Sequence, residues 1–231
     1  MKRFWKDANV AQADGGWSVA LDGKPLRTPE RRPLVVPTEK LAEAIAGEWR
    51  AAGETFDPRQ LALTGLANAA IDQVQPDPDG FTAMLARYGE NDLLCYRAEN
   101  PRKLRERQEA GWDPLLGWAR RRFDIDFATT AGIVHVAQPE ATVARLFHAL
   151  ATLDAFRLAG LSPLVTIGGS LVTALAVLER SVTATEAWDS LTIDEQWQAE
   201  QWGADAEAAQ ALEARRRDFL AAARFLELLE D

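Results

Sequence analysis

The chain has 231 residues, 47% of them hydrophobic, which is enough for one large or two small domains with a real core. Its 35 acidic residues against 26 basic ones leave a net charge of −9, which repels phosphate backbones and argues against nucleic acid as the main partner. Cys95 is the single cysteine, so neither an intramolecular disulfide nor a thiolate metal cluster can form; this fits a reducing compartment.

Met1-Lys2-Arg3-Phe4-Trp5 runs straight into patterned sequence, with no apolar signal core and no Arg/Ser-rich presequence. The expected address is the bacterial cytoplasm, or an organelle interior after processing. Residues 1–38 read as strands and turns. Trp17, Val19 and Leu21 alternate with Ser18 and Ala20, a period of two. Asp14-Gly15-Gly16 and Asp22-Gly23 flank this strand with turn chemistry. Residues 4–10 and 24–28 are the expected partner strands, and Leu34-Val35-Val36 is a short strand between prolines.

Thr38 is the candidate N-cap of the first helix, whose apolar face is Leu41, Ile45, Trp49 and Ala52, with Gly53 placed to end it. Helical register continues over 59–75. The run Gln75-Pro76-Asp77-Pro78-Asp79-Gly80 is the clearest break in the chain, and the domain boundary is expected there, dividing 1–75 from 76–231. Residues 81–95 open a helical region. Residues 101–123 are expected as two helices parted at Asp113-Pro114. A short extended piece over 133–136 precedes a strongly amphipathic helix over 140–159. The uncharged stretch 161–178 approaches the length of a membrane span, but Pro163 and Gly168-Gly169 interrupt it. It reads as a buried core helix from Ser170 to Leu178. Two more helices follow, then a long terminal one whose apolar residues include Leu212, Phe219, Leu220, Ala223, Leu226 and Leu229.

Motifs for catalysis are lacking. His135 and His148 are thirteen residues apart, which fits no local zinc motif; His148 is expected to be half-buried and hydrogen-bonded. Cys95 is flanked by apolar residues and reads as a buried, inert thiol. There is no GxSxG, HExxH or Walker loop. Asp77 and Asp79 lack the closing glutamate of a calcium loop. The arginine triplets 120–122 and 215–217 read as solvated or salt-bridged helix faces.

The stretch from Ile193 to Asp205 carries four carboxylates and two tryptophans. On a helix beginning near Thr192-Ile193, Glu195, Gln198, Ala199 and Trp202 share a face. Asp194 and Glu195 fall in its first turn, where acids complement the helix dipole. Gly203 would end the helix and leave Trp202 at its terminus. Glycosidic chemistry needs two carboxylates facing across a groove, whereas these acids lie along one helix surface. Tryptophan beside carboxylate and glutamine is the composition of a binding patch.

Several longer motifs follow one another in a specific order. They are Lys2-Arg3-Phe4-Trp5-Lys6, Leu21-Asp22-Gly23-Lys24-Pro25-Leu26-Arg27-Thr28-Pro29, Glu48-Trp49 and the run from Leu63 to Asp72. Asp92-Leu93-Leu94-Cys95-Tyr96-Arg97, Trp112-Asp113-Pro114-Leu115-Leu116, and Asp194-Glu195 with Trp202-Gly203-Ala204-Asp205 complete the series. Over nearly the whole chain this resembles the ATP-twelve chaperone family, which assembles the catalytic head of F-type ATP synthase by binding its alpha subunit. That family usually has Met-Pro ahead of the Leu-Thr pair, where this chain has Leu61-Ala62.

The resemblance implies an α+β fold. A small β-rich N-terminal domain with one or two helices (1–75) precedes a mainly helical domain (76–231). It implies no enzymatic activity, no cofactor, no metal and no membrane insertion. The implied partner is the unassembled alpha subunit, whose interface is shielded until the beta subunit replaces the chaperone, and the free protein is expected to be a monomer. Glu195 matches the family's functional acidic position and Trp202-Gly203 its adjoining pair. Trp49 matches a tryptophan whose integrity the family needs, here with the spacing of a core residue. The expected partner-binding set is therefore Asp194, Glu195, Gln198, Trp202 and Gly203. Eukaryotic members would work in the mitochondrial matrix. Two rival readings stay open: a small-metabolite enzyme using Asp194, Glu195 and Glu200, and an adaptor for a different client.

Overall fold

A two-residue turn at Asp14-Gly15 joins β1 (Ala8–Ala13) to β2 (Gly16–Leu21) as an antiparallel hairpin, with Ala13 opposite Gly16 and Ala8 opposite Leu21. Strand β1 starts later than the expected 4–10, because Arg3 pairs its backbone N–H with Glu54 and the segment before Ala8 does not join the hairpin. β3 (Lys24–Pro25) and β4 (Val35–Val36) both pair with β2, making a four-stranded sheet. Glycine is required at position 16: a Cβ there would meet the Val36 carbonyl oxygen at 2.2 Å. This computed structural model describes residues 1–203 and 205–230, so Ala204 and Asp231 lie outside the described residues.

Val19, Leu21, Leu34 and Val36 are buried together with Leu41, Ala42, Ile45 and Ala46 of α1 (Glu39–Ala51). Thr38 caps this helix by accepting from the Leu41 N–H, and its hydroxyl donates to the Leu228 carbonyl. Residues 59–75 are less regular than one helix: a 3-10 turn over Pro58–Gln60, α2 (Ala62–Ala69), then a π-helical turn over Ala70–Val74. The start of α2 has no side-chain cap of its own. Glu48 supplies one from α1, its carboxylate accepting from the N–H groups of Leu63 (2.7 Å) and Thr64 (2.9 Å). The Thr64 hydroxyl donates to Glu48 and accepts from Trp49 Nε1 at 3.1 Å. Trp49 also stacks edge-on with Trp5 and Phe56. Those contacts tie Glu48-Trp49 to Leu63-Thr64.

The chain divides into two compact units. The first holds Met1–Pro78, Asp154–Gly160 and the stretch from Arg224; the second holds Asp79–Leu153 and Leu161–Ala223. The helical domain was expected to be uninterrupted from 76, but two of its segments cluster with the sheet. The contacts responsible are local: Arg157 binds Glu230, and Gly160 has no room for a Cβ against Leu226 and Phe225.

In the second unit, α3 (Pro78–Ala86) leads to β5 (Tyr96–Arg97), which pairs in parallel with β6 (Thr130–Ala131). Between them runs α4 (Arg102–Phe123), a single helix with Pro114 inside it, not the two helices expected. A proline in a helix costs about 3 kcal/mol. Here the buried stripe Gln108, Trp112, Leu115, Leu116 and Ala119 passes through the proline without a break, and its burial outweighs that loss. The expected extended piece at 133–136 is not a strand: Ile133 is 100% exposed.

The helix expected over 140–159 is two, α5 (Glu140–Ala151) and α6 (Ala155–Gly168), parted where the Asp154 carboxylate accepts from the N–H groups of Phe156 and Arg157. α7 (Leu171–Leu178) is the buried apolar helix, capped by Ser170 and entered through Gly169 at a positive φ. α8 (Ala184–Leu191), α9 (Ile193–Trp202) and α10 (Ala206–Glu227) complete the chain. Among the described residues, no helix is long and apolar enough to cross a membrane.

Candidate docking cleft

Helix α9 is positioned from one side by α4. Gly111 leaves just enough room for Ile193, whose Cδ1 lies 2.6 Å from where a Cβ would stand. Gln108, buried in α4, donates to Asp194 at 2.7 Å and accepts from the Ala98 N–H. Arg107 donates to both carboxylate oxygens of Glu200 (2.7 and 2.8 Å) and to Gln196. Trp112 donates its indole N–H to the Ser190 carbonyl just upstream. Asp194 and Glu200 are thus held against α4, and Asp194 does not line the cleft described next. The first turn of α9 thus splits its two acids, Asp194 on the α4 side and Glu195 on the other.

The other side of α9 is open. Gly203 takes φ +85°, a conformation that residues with a Cβ adopt at a cost, and ends the helix. Between α9 and the first turns of α10 lies a cleft of about 510 Å³. Glu195, Gln198, Trp202 and Gly203 line one wall, and Ala208, Ala211, Leu212 and Arg215 the other. Four of the five expected partner-binding residues therefore meet in one cavity. Trp202 is 78% exposed, whereas Trp5, Trp112 and Trp188 are buried. A large aromatic left in water beside an apolar floor is costly unless something else covers it.

Arg215 was expected only as part of a salt-bridged face. Its Nη1 lies 3.3 Å from Glu195 Oε1, and its Nη2 donates to the Ile167 carbonyl at 3.1 Å. Ala208, Leu212 and Arg215 recur at helical spacing on α10, so a stripe was present in sequence, but nothing marked which helix it would face. The neighbouring arginines also find acids, Arg216 with Glu213 and Arg217 with Asp218.

A larger cavity of about 710 Å³ lies between α3 and α5. His135 and His148 both line it with Phe147, Val143 and Ala86, so residues thirteen apart in sequence converge in space. His148 is exposed there, not half-buried as expected. Among the described residues, no group of three or more metal-binding side chains exists here or elsewhere.

The carboxylate most perturbed by burial is Asp92, away from both cavities. Burial pushes it up to about 6, against hydrogen bonds from the N–H groups of Val172 and Leu94 and from Ser170. It ties the start of α7 to the 3-10 turn Leu93–Cys95. Cys95 is buried as expected, its thiol pushed up to about 12 by burial and by the charge of Asp92.

The chain is thus α+β, with an open, tryptophan-walled cleft and its nearby acids tied to its own helices. The sequence profile described as ATP12 chaperone protein matches residues 2–120. Over 214 residues the chain is 27% identical to "Protein atp12, mitochondrial" of Schizosaccharomyces pombe, covering 87% of this chain and 74% of that protein. The crystal structure of Atp12 from Paracoccus denitrificans superposes with a TM-score of 0.93 at 42% identity, over 99% of this chain and 98% of that one. The Atu1473 protein of Agrobacterium tumefaciens superposes with a TM-score of 0.95 at 39% identity, over 99% of this chain and 86% of that one. The chain belongs to the ATP12 chaperone family, chaperones of ATP synthase assembly.

Proposed function

We propose that this chaperone binds the unassembled alpha subunit of F-type ATP synthase through the α9–α10 cleft, shielding an interface that the beta subunit later covers. The observation that carries the reading is Trp202, exposed at the lip of a cleft that also gathers Glu195, Gln198 and Gly203. Trp202 supplies anchoring area and Glu195 orientation. Asp194 acts indirectly, holding the first turn of α9 on Gln108. Trp49 serves the fold of the first unit through its aromatic neighbours. Free of its client the protein is a monomer, and it works without cofactor in the bacterial cytoplasm. The rival reading as a small-metabolite enzyme needs Asp194, Glu195 and Glu200 to converge. They diverge instead, two toward α4 and one toward α10.

The test offers purified alpha and beta subunits separately to the immobilised protein. Alpha subunit should be retained, beta should not, and beta added afterwards should release alpha. Failure to retain alpha, or equal retention of both, contradicts the proposal.

A further inference from the structure

We propose that Arg215 is an internal stand-in for a cationic side chain of the client, occupying Glu195 in the free chaperone and yielding it on docking. The inference rests on the reading of the α9–α10 cleft as the client site and names what that cleft selects: an apolar segment carrying a lysine or arginine.

The charges of the cleft lead to this. Its charged lining residues are Glu195, Asp205 and Arg215. One arginine against two carboxylates leaves the cavity acidic even with Arg215 on Glu195; once Arg215 keeps only its Ile167 contact, the Glu195 carboxylate is open and the cavity complements a cation. The resident pair is easily exchanged. It is a single 3.3 Å contact, not a two-pronged one, and its side chains are 47% and 38% exposed. Exposed pairs of this kind are weak and screened by salt. Arg107 of α4 and Glu200 of α9 make the contrast, with one guanidinium nitrogen on both oxygens at 2.7 and 2.8 Å.

Arg215 also has somewhere to stay, because its second nitrogen is held by the Ile167 carbonyl, independent of Glu195. An incoming cation can therefore replace one hydrogen bond without stranding the arginine. Trp202 adds a face on which the same cation, or its apolar neighbour, can stack. While the client is absent, Arg215 shields the acid from unselective cationic partners.

The experiment is a double-mutant cycle on binding of purified alpha subunit at low salt, with full-length chaperone. Removing the competitor by Arg215→Gln should tighten binding by about three- to fivefold, the equilibrium worth of an exposed ion pair. In a Glu195→Gln background the same change should have no effect. Arg215→Met, which keeps the apolar stem, is the second variant, and melting temperatures check that both fold. Weaker or unchanged binding by folded Arg215→Gln and Arg215→Met overturns the inference, as does tightening that persists without Glu195. If the wild type itself retains no alpha subunit, the reading of the cleft falls together with it. If the wild type binds and only the arginine arm fails, the cleft reading survives alone.

Discussion

Asp92 and Glu195 are both carboxylates beside helix starts in the second unit, yet they sit in opposite environments. Asp92 is fully buried and accepts from the N–H groups of Leu94 and Val172 and from Ser170. Glu195 is 38% exposed and meets one arginine at 3.3 Å. A buried acid with several donors organises the fold around itself, because leaving any of those groups unpaired is costly. A half-exposed acid with one weak partner contributes little to the fold and is open to a better one. Burial and donor count, not residue type, separate the two roles.

Substitutions should separate the packed region from the exposed one. The largest expected effect is in the packed region. Trp112→Ala removes a buried indole, its hydrogen bond to Ser190 and its contact with the Arg97 guanidinium. It should lower the stability measured by urea unfolding by about 3–5 kcal/mol. Asp92→Asn replaces an acceptor with an amide N–H facing backbone donors and should cost about 1–3 kcal/mol.

The Asp92 substitution also has a pH signature. The carboxyl titrates at about 6 in the folded protein against an ordinary 3.8, so the folded state binds the proton more tightly. Between those values, falling pH should stabilise the wild type relative to Asp92→Asn, and rising pH should remove that advantage. Paired unfolding curves at pH 4.5 and 7 measure the sign.

Gly203→Ala should cost about 1–3 kcal/mol from its backbone conformation alone, since an added Cβ there meets open space. Glu195→Lys and Trp202→Ala should change stability least, within about 0.5 kcal/mol, as exposed positions do. If Glu195→Lys destabilised the protein as much as Asp92→Asn, the two acids would not differ as described.

Much of this was legible in sequence because it depends on local period. The face shared by Glu195, Gln198, Ala199 and Trp202, the stop at Gly203 and the cap at Thr38 follow from 3.6-residue spacing and backbone preference. What sequence concealed depends on how distant elements meet. Arg215 reaches Glu195 from twenty residues away on another helix. Gln108 claims Asp194 from eighty-six residues away. The two histidines converge only because α5 and the segment before it pack beside α3. Pro114 misled in the opposite direction: the rule that proline ends a helix is local, and a continuous buried stripe overrides it. The two-residue β5–β6 pair is too short to leave any period at all.

The docking face proposed for the alpha subunit is the cleft carrying Glu195 and Trp202. Its most direct test is the affinity of purified alpha subunit for wild type, Glu195→Lys and Trp202→Ala, with melting temperature recorded for each. Both variants should melt with the wild type and bind at least about tenfold more weakly, the scale of an interface anchor. Undiminished binding by both, with folding intact, would contradict the claim.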